Sequence, residues 1–233
     1  MLTRSHSRRL LAGGAALTAA LAVAVPADAA GTLKADYRFQ NTRASSVSGL
    51  PALTDLGGAN RFAVQPVDGT NRTVLTFGAH HGLQLKPTTG LPSDNYSIVL
   101  LVKLGNVDGY RRYVDFKHGT DDQGLYDEGG RLYFYGGEDA DQVSIRRNAW
   151  EQVVLTRSAS TKTVVGYVDG VKQITFQDTT NLAVIDATKT LIFFRDNLSG
   201  GGTGEDSAGA VARIRLYSAP LTATQVKALD REP

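Results

Sequence analysis

The chain contains 233 residues, with 25 lysines and arginines against 23 aspartates and glutamates, and a net charge of +2 at neutral pH. This balance, with both signs mixed along the chain, argues against a nucleic-acid-binding protein and against an electrostatic membrane binder. The sequence contains no cysteine, which excludes disulfides and cysteine-ligated zinc, so the hydrophobic core must hold the fold, with or without a metal ion.

Residues 1–29 have the pattern of an export signal peptide. Basic residues up to Arg9 precede an Ala-rich apolar run, and Ala27-Asp-Ala29 supplies the small residues of a cleavage site. The paired arginines also resemble a twin-arginine signal, and an uncleaved N-terminal anchor is the alternative to cleavage. We expect a secreted, extracellular protein with one domain over 30–233. Cleavage removes three arginines and one aspartate, which leaves a net charge of zero, and no membrane insertion is expected afterwards.

The body of the chain is predicted to form short strands separated by Gly, Asn, Asp and Pro. The longest apolar run, 96–104, is predicted to be a central strand covered on both faces. Residues 45–60 are predicted to form a Gly-rich loop. The other predicted strands cover 33–39, 72–77, 82–86, 111–116, 125–126, 131–135, 150–156, 163–168, 171–176, 191–194 and 210–217. This spacing of strands and turns is typical of a sandwich or jelly roll.

A hairpin is predicted over 163–176, because Asp169-Gly170 lies between two β-branched runs and suits a two-residue type I′ turn. That turn places Val168 opposite Val171 and Val165 opposite Ile174. The face that carries Val165, Tyr167 and Ile174 is then the more apolar one. A sheet with one apolar face implies a second layer, and therefore a two-sheet sandwich.

One short helix is predicted near the C-terminus. Thr222 is a suitable N-cap residue, and Gln225 three residues later completes a capping box. Leu221 before the cap and Val226 in the first turn can form a hydrophobic staple, and Leu229 shares the face of Val226. We expect this face to pack on the sandwich.

The closing motifs of the chain resemble those of the laminin G-like jelly rolls, which belong to the concanavalin A-like lectin/glucanase superfamily. The motifs are Trp150-Glu-Gln-Val-Val-Leu-Thr156, Gly166-Tyr-Val-Asp-Gly-Val171, Ala208-Gly-Ala-Val-Ala-Arg-Ile-Arg-Leu-Tyr217 and Ala219-Pro-Leu-Thr-Ala-Thr-Gln-Val-Lys-Ala-Leu229. The resemblance covers about 33–229 and implies an all-β, two-sheet antiparallel jelly-roll sandwich with one short C-terminal helix. It also implies calcium at one rim of the sandwich.

The candidate metal site is the loop after the strand that ends near Phe194. Asp196 and Asn197 precede a run of glycines, and Glu205 follows it, so that carboxylate, amide and backbone oxygens can surround Ca²⁺. Asp122, in the acidic turn at 121–122, completes this ligand set if the two loops converge at one end of the sandwich. The alternative is a pair of solvated loops in which these side chains form only turn hydrogen bonds.

The candidate carbohydrate site is aromatic. Tyr133 and Tyr135 alternate along one strand and share a face, and Tyr126 lies nearby in the sequence. Tyrosine rings can stack on sugar rings while Arg131 and Arg195 bind hydroxyl groups. The alternative is that half of these rings are core or cross-strand packing pairs.

The sequence offers no clear catalytic set, so no catalytic residue is assigned. A Glu-x-Asp-x-Glu strand and a Gly-x-Ser-x-Gly elbow are both missing, and the adjacent His80 and His81 are interpreted as a polar turn. We therefore expect a noncatalytic, lectin-like module that binds a polysaccharide or glycoconjugate. An adhesion or structural module that binds an extracellular protein is the second hypothesis, and a polysaccharide lyase or glycosidase is the third.

Overall fold

The computed structural model describes residues 31–197 and 204–232. The predicted signal peptide and the glycine run at 198–203 lie outside the described residues. The described part contains fourteen strands. These are β1 (Leu33–Tyr37), β2 (Thr54–Leu56), β3 (Arg61–Val67), β4 (Thr70–Phe77), β5 (Gly82–Leu85), β6 (Tyr96–Leu104), β7 (Tyr110–Asp115), β8 (Gly124–Glu128), β9 (Arg131–Phe134), β10 (Glu151–Arg157), β11 (Thr163–Val168), β12 (Val171–Gln177), β13 (Leu191–Phe193) and β14 (Gly209–Tyr217).

The strands form two antiparallel sheets. The eight-stranded sheet has the order β12-β11-β10-β6-β14-β4-β3, with β1 also paired to β14. The six-stranded sheet has the order β2-β5-β13-β7-β8-β9. Side chains from both sheets meet in one large buried cluster that includes Leu100, Phe116 and Phe193. The predicted all-β, two-sheet jelly-roll sandwich is confirmed.

The strand predicted to be central and covered on both faces is β6, and this prediction is confirmed. It lies between β10 and β14, and every residue from Tyr96 to Val102 is buried. Leu100 faces the core between the sheets, whereas Val99 contacts the side of the sheet covered by the C-terminal helix. A strand that is buried on both faces loses the alternation of polar and apolar residues.

Two strands were not predicted from the sequence. β2 lies inside the segment 45–60 that was predicted to be a loop, and β3 pairs with β4 along its whole length. The β3–β4 turn is Asp68-Gly69, with φ of 47° and 83°. Asp-Gly is the same turn signal as in the predicted hairpin. However, β3 contains several exposed residues and no continuous apolar run, so the strand itself was not recognised.

The hairpin at Asp169-Gly170 forms as predicted, with φ of 49° and 79° at the two turn residues and Val168 opposite Val171. The predicted pairing of Val165 with Ile174 is wrong, because a bulge beside Gly166 shifts the register and places Gly166 opposite Ile174. The predicted apolar face is therefore wrong as well. Ile174 faces the core between the sheets, whereas Val165 and Tyr167 face the C-terminal helix.

We expect Gly166→Ala to lower the free energy of unfolding by about 1–3 kcal/mol, because the interior has no room for the added methyl group. A Cβ at this position would lie 2.7 Å from side-chain carbons of both Ile174 and Leu132. Gly78→Ala is the matched control, since the nearest atom there is 3.6 Å away. Chemical denaturation that shows equal losses in the two variants would contradict this packing.

The predicted C-terminal helix is α1 (Ala223–Lys227). Its capping box is confirmed: Thr222 Oγ1 accepts from the Gln225 amide at 3.2 Å, and Gln225 Oε1 accepts from the Thr222 amide at 2.8 Å. Leu221 and Val226 are both buried against the eight-stranded sheet, as the staple requires. The part of the chain that the structure describes contains no helix with the length and hydropathy of a membrane span.

Candidate functional site

The site is organised by a buried arginine on β7, an inner strand of the six-stranded sheet. The Arg112 side chain is fully buried on β7, where a register shift between Arg112 and Val114 turns it toward the outer face beside Tyr126. Its Nη1 donates to Asp115 Oδ2 and to Asn197 Oδ1, both at 2.9 Å. Its Nη2 contacts the Tyr126 hydroxyl, and its guanidinium lies 4.8 Å from the centre of that ring. Arg112 therefore ties together two loops that are 75 or more residues apart in sequence.

Three carboxylates converge around this arginine. Oxygen atoms of Asp122, Asp196 and Glu205 all lie within 4.8 Å of one another. Arg112 Nη2 lies 3.2 Å from Asp122 and 3.6 Å from Asp196. Asn197, also predicted as a ligand, bonds to both Arg112 and Asp122 through its side-chain amide. The structure therefore brings together all four residues that were predicted from two separate loops.

The cluster carries more negative charge than its arginine balances. Burial raises the pKa of Glu205, and repulsion from Asp196 and Asp122 raises it further. Arg112 favours the ionised form of Glu205, as does a hydrogen bond to Tyr126, but neither overcomes these effects. The imbalance itself is seen in the geometry, because the three carboxylates of Asp122, Asp196 and Glu205 lie around the single guanidinium of Arg112.

The donor set fits calcium by its chemistry. It consists of carboxylate oxygens from Asp122, Asp196 and Glu205, and a hard divalent cation prefers such ligands. The amide oxygen of Asn197 lies beside them but accepts a hydrogen bond from Arg112. Within residues 31–197 and 204–232, Arg112 is the cation that forms salt bridges with Asp122 and Asp196. Asp122, Asp196 and Glu205 are the residues that could hold a metal ion here.

A cleft of about 530 Å³ opens beside this cluster. Asp122 and Asn197 belong to both the cluster and the cleft wall. The wall combines one aromatic ring with amide, hydroxyl and carboxylate groups, a mixture suited to a polyhydroxylated ligand. Its other lining residues are Thr120, Asp121, Gln123, Tyr135, Gly136 and Leu182.

Three partly exposed tyrosines form a ladder that continues from the cleft across the outer face of β9 toward β7. Tyr135 is 43% exposed and Tyr110 is 38% exposed, and Tyr133 lies between them. The ring centres of Tyr135 and Tyr133 are 6.1 Å apart, and those of Tyr133 and Tyr110 are 5.8 Å apart. We call Tyr110, Tyr133 and Tyr135 the tyrosine ladder.

The predicted ligand-binding role of Tyr126 is wrong. It pairs with Tyr133 across β8 and β9, but its ring is fully buried beneath Arg112 and cannot stack on a sugar. Tyr126 instead supports the floor of the site, through its hydroxyl contact with Arg112 and its ring contact with Tyr133.

The two predicted arginines lie outside the cleft. Arg195 packs against Gly57 and Gly82 near β2 and β5, at the opposite edge of the six-stranded sheet from the tyrosine ladder. Arg131 is on β9 beside the ladder, and its guanidinium lies 3.8 Å from Glu128 and 3.5 Å from Asp139. The structure therefore groups Tyr133, Tyr135 and Arg131, and it separates Arg195 from them.

Sequence reasoning missed Arg112 and Gln123 as residues of the site, and it did not assign a ligand-binding role to Tyr110. Arg112 is preceded by Arg111 in a strand, and such pairs are usually solvated, so no local pattern marks it as buried. Tyr110 begins β7 and lies opposite Glu128 on β8, but its place beside the site could be predicted only with the register of the β7–β8 hairpin.

His80, interpreted as a turn residue, has φ of 62°, and its Nδ1 lies 3.0 Å from a carboxylate oxygen of Asp206.

Two further acids with raised pKa values lie away from the cleft. Burial raises the pKa of Asp127 to about 8 and that of Glu151 to about 7. Both residues are at most 1% exposed, and after burial the charge of Glu151 is a further cause of the raised pKa of Asp127. Because neither is accessible to a ligand in solution, they are buried acids of the fold and lie outside the site.

The sequence matches the model of a known protein family. A laminin G-type family model, described as "Concanavalin A-like lectin/glucanases superfamily", matches residues 77–227. No curated protein matches the sequence.

Solved structures show the same fold at low sequence identity. Domain 4 of AbnA, an extracellular GH43 arabinanase from Geobacillus stearothermophilus solved in complex with arabinotriose, is 18% identical with a TM-score of 0.64. That match covers 86% of this chain and 98% of the domain. The binding domain of botulinum neurotoxin DC, in complex with rat synaptotagmin II, is 12% identical with a TM-score of 0.59; 84% of this chain matches half of it. A botulinum neurotoxin type C structure, concerned with entry that depends on two ganglioside molecules, is 13% identical with a TM-score of 0.56. It matches 85% of this chain over half its own length.

Proposed function

The chain belongs to the concanavalin A-like lectin/glucanases superfamily, and from this premise we propose that it is a noncatalytic carbohydrate-binding module. One observation carries the proposal. The cleft beside Tyr135 shares Asp122 and Asn197 with the three-carboxylate cluster, so one surface offers an aromatic ring, hydrogen-bonding groups and a candidate cation.

The recognition mechanism follows from the chemistry of the cleft wall. The exposed ring of Tyr135 offers an apolar face for the C–H groups of a sugar ring. Gln123 and Asp121 lie in the same wall and can bind sugar hydroxyls. Arg112 does not reach the ligand. It holds the loops of Asp122 and Asn197 in place, so that the polar groups are positioned before the sugar binds.

Calcium is the proposed cofactor, held by Asp122, Asp196 and Glu205 with Asn197 beside them. When bound, it supplies positive charge to a cluster whose carboxylates outnumber its one guanidinium. That charge lowers the repulsion that raises the pKa of Glu205. Because Asp122 and Asn197 also line the cleft, calcium and sugar affinity are expected to be coupled.

We expect Asp196→Asn to lower calcium affinity by tenfold or more, since it removes a buried ligand charge without changing the side-chain size. Isothermal titration with CaCl₂ measures this loss directly. Asp141→Asn, at an exposed position away from the cluster, is the matched control and should bind as the unaltered protein does. Equal calcium affinity in Asp196→Asn and the control would remove the metal assignment.

We propose that the binding is noncatalytic because the acids with the most raised pKa values are unsuited to act on a bound glycan. Asp127 and Glu151 are buried beneath the sheet. Asp122 and Glu205 line or border the cleft but are grouped with Asp196 around Arg112. Incubation with polysaccharides followed by reducing-end and ultraviolet assays tests this, and release of sugars or unsaturated products would contradict it.

We also propose that residues 1–29 direct export and are removed, which leaves a single domain over 30–233. Support comes from the basic, apolar and small-residue pattern of this segment. N-terminal sequencing of protein recovered from the medium should begin near Ala30. A product that retains Met1 and stays with the membrane fraction would instead indicate an anchor.

The function is tested by a glycan and polysaccharide array, probed with the protein in CaCl₂ and, in a second arm, in EDTA. We expect signal on a defined glycan class in calcium and loss of that signal in EDTA. A protein ligand is the second candidate, because a neurotoxin binding domain of the same fold was solved with synaptotagmin II. Cooperative melting would show that the protein on the array is folded. If such protein gives no signal in either arm, the carbohydrate proposal is rejected in favour of a protein ligand.

A further inference from the structure

The tyrosine ladder is not a flat platform. The ring planes of Tyr110 and Tyr133 meet at 49°, and those of Tyr133 and Tyr135 meet at 73°. Ring centres 5.8 Å and 6.1 Å apart are separated by about the length of one sugar unit in a chain. A flat ribbon of sugars presents parallel faces and could lie on one of these rings, but not on all three.

The surface around the ladder is acidic. Carboxylates border both the ladder and the cleft, whereas the nearby basic groups are engaged with the protein. Arg131 pairs with Glu128 and Asp139, and Lys117 Nζ donates to two backbone carbonyls at 2.9 Å and 3.0 Å. Arg111 binds the carbonyls of Tyr110 and Gly204. The bordering carboxylates are Asp121, Asp122, Glu128, Asp139 and Glu205.

Fixed charges of one sign repel a ligand of the same sign. A surface on which carboxylates outnumber the basic groups that are free to bind a ligand therefore discriminates against sulfate and carboxylate groups. Arg112 cannot offset this, because its side chain is fully buried and its guanidinium is already shared among Asp115, Asp122 and Asn197. A bound calcium ion would neutralise part of the cluster. Glu128 and Asp139 share the single charge of Arg131, and Asp121 in the cleft wall has no salt-bridge partner among the described residues.

We propose that the ligand of this module is an uncharged glycan whose successive sugar rings are turned relative to one another, with one sugar ring against each tyrosine of the ladder. This inference rests on the proposed carbohydrate-binding function and narrows its substrate class. It excludes two classes: flat β-1,4-linked ribbons, which do not match the turned rings, and polyanionic glycans, which the acidic border repels.

The experiment compares four probes by titration calorimetry in CaCl₂, with the full chain. Linear α-1,5-arabinan oligosaccharides and laminarin are neutral and turned, cellohexaose is neutral and flat, and heparin is turned and polyanionic. At least one neutral, turned probe should bind tenfold or more tighter than both cellohexaose and heparin. Tyr135→Ala and Tyr110→Ala should each weaken that binding about tenfold, which corresponds to about 1.4 kcal/mol.

Val171→Ala is the control, since Val171 is 62% exposed on the other sheet and its loss should leave binding unchanged. Both tyrosines are exposed, so thermal melting of their variants should match that of the unaltered protein. Binding of cellohexaose or heparin that depends on Tyr135 would overturn this inference and leave the carbohydrate function standing. Binding that is insensitive to both tyrosine variants would overturn the ladder as the site. No binding of any probe, with array signal also missing, would reject the carbohydrate function itself.

Discussion

Replacing Arg112 with methionine is expected to lower the free energy of unfolding by about 3–5 kcal/mol, because it leaves buried carboxylates without their countercharge. Asp115 is fully buried, and Asp196 is 3% exposed, and both face the guanidinium. Methionine fills much of the same volume, so the loss measures the charge and the hydrogen bonds more than the packing. Urea denaturation in EDTA measures the change.

Arg131→Met is the matched control for this substitution. Its side chain is 39% exposed, and those of its partners Glu128 and Asp139 are 26% and 42% exposed, so we expect a loss of less than about 1 kcal/mol. If calcium occupies the three-carboxylate cluster, then CaCl₂ should recover part of the loss in Arg112→Met and none in Arg131→Met. Equal losses in the two variants would contradict the central position of Arg112.

The second large effect is expected from Asp127→Asn. The unfolding free energy of this variant, relative to that of the unaltered protein at the same pH, should increase as the pH rises. Burial raises the pKa of Asp127 from 3.8 to about 8, and its Oδ2 has no hydrogen-bond partner in the described structure. The folded protein therefore disfavours the ionised form. The contribution of this residue to stability is fully present below about pH 4, falls as the pH rises toward 8, and stays constant above that pH.

Asparagine carries no titrating proton, and its Oδ1 can still accept from the Gly130 amide, as Asp127 does at 2.8 Å. The difference in unfolding free energy between the variant and the unaltered protein should grow by a few kcal/mol between pH 4 and pH 8, at about 1.4 kcal/mol per pKa unit. Asp141→Asn, at an exposed position, should give a pH profile parallel to that of the unaltered protein. A pH-independent difference for Asp127→Asn would show that this carboxyl is not perturbed by burial.

Much of the fold could be predicted from local signals. β6 agrees with its predicted bounds because a long β-branched run has few alternatives, and α1 follows from a capping box whose two hydrogen bonds are local. The register of β11 and β12 could not be predicted beyond the turn. The bulge beside Gly166 lies against Leu132 of the other sheet, a neighbour that the hairpin sequence does not contain.

The site was predictable in part, for a similar reason. Asp122, Asp196, Asn197 and Glu205 lie in two loops that connect strands, and oxygen-rich loops between strands are recognisable from sequence. Arg112 was not recognisable, because its burial depends on the register shift in β7 and on two distant loops that cover it. The burial of Tyr126 has the same origin, so its assignment to the ligand surface was wrong.

A crystal structure of the protein with CaCl₂ and the glycan that gives the strongest array signal would test the proposed site directly. We expect a calcium ion among Asp122, Asp196 and Glu205, and a glycan in the adjoining cleft with a sugar ring against Tyr135. A glycan bound on another surface, such as the outer face of the eight-stranded sheet near Trp150, with no ion at the three carboxylates, would contradict it.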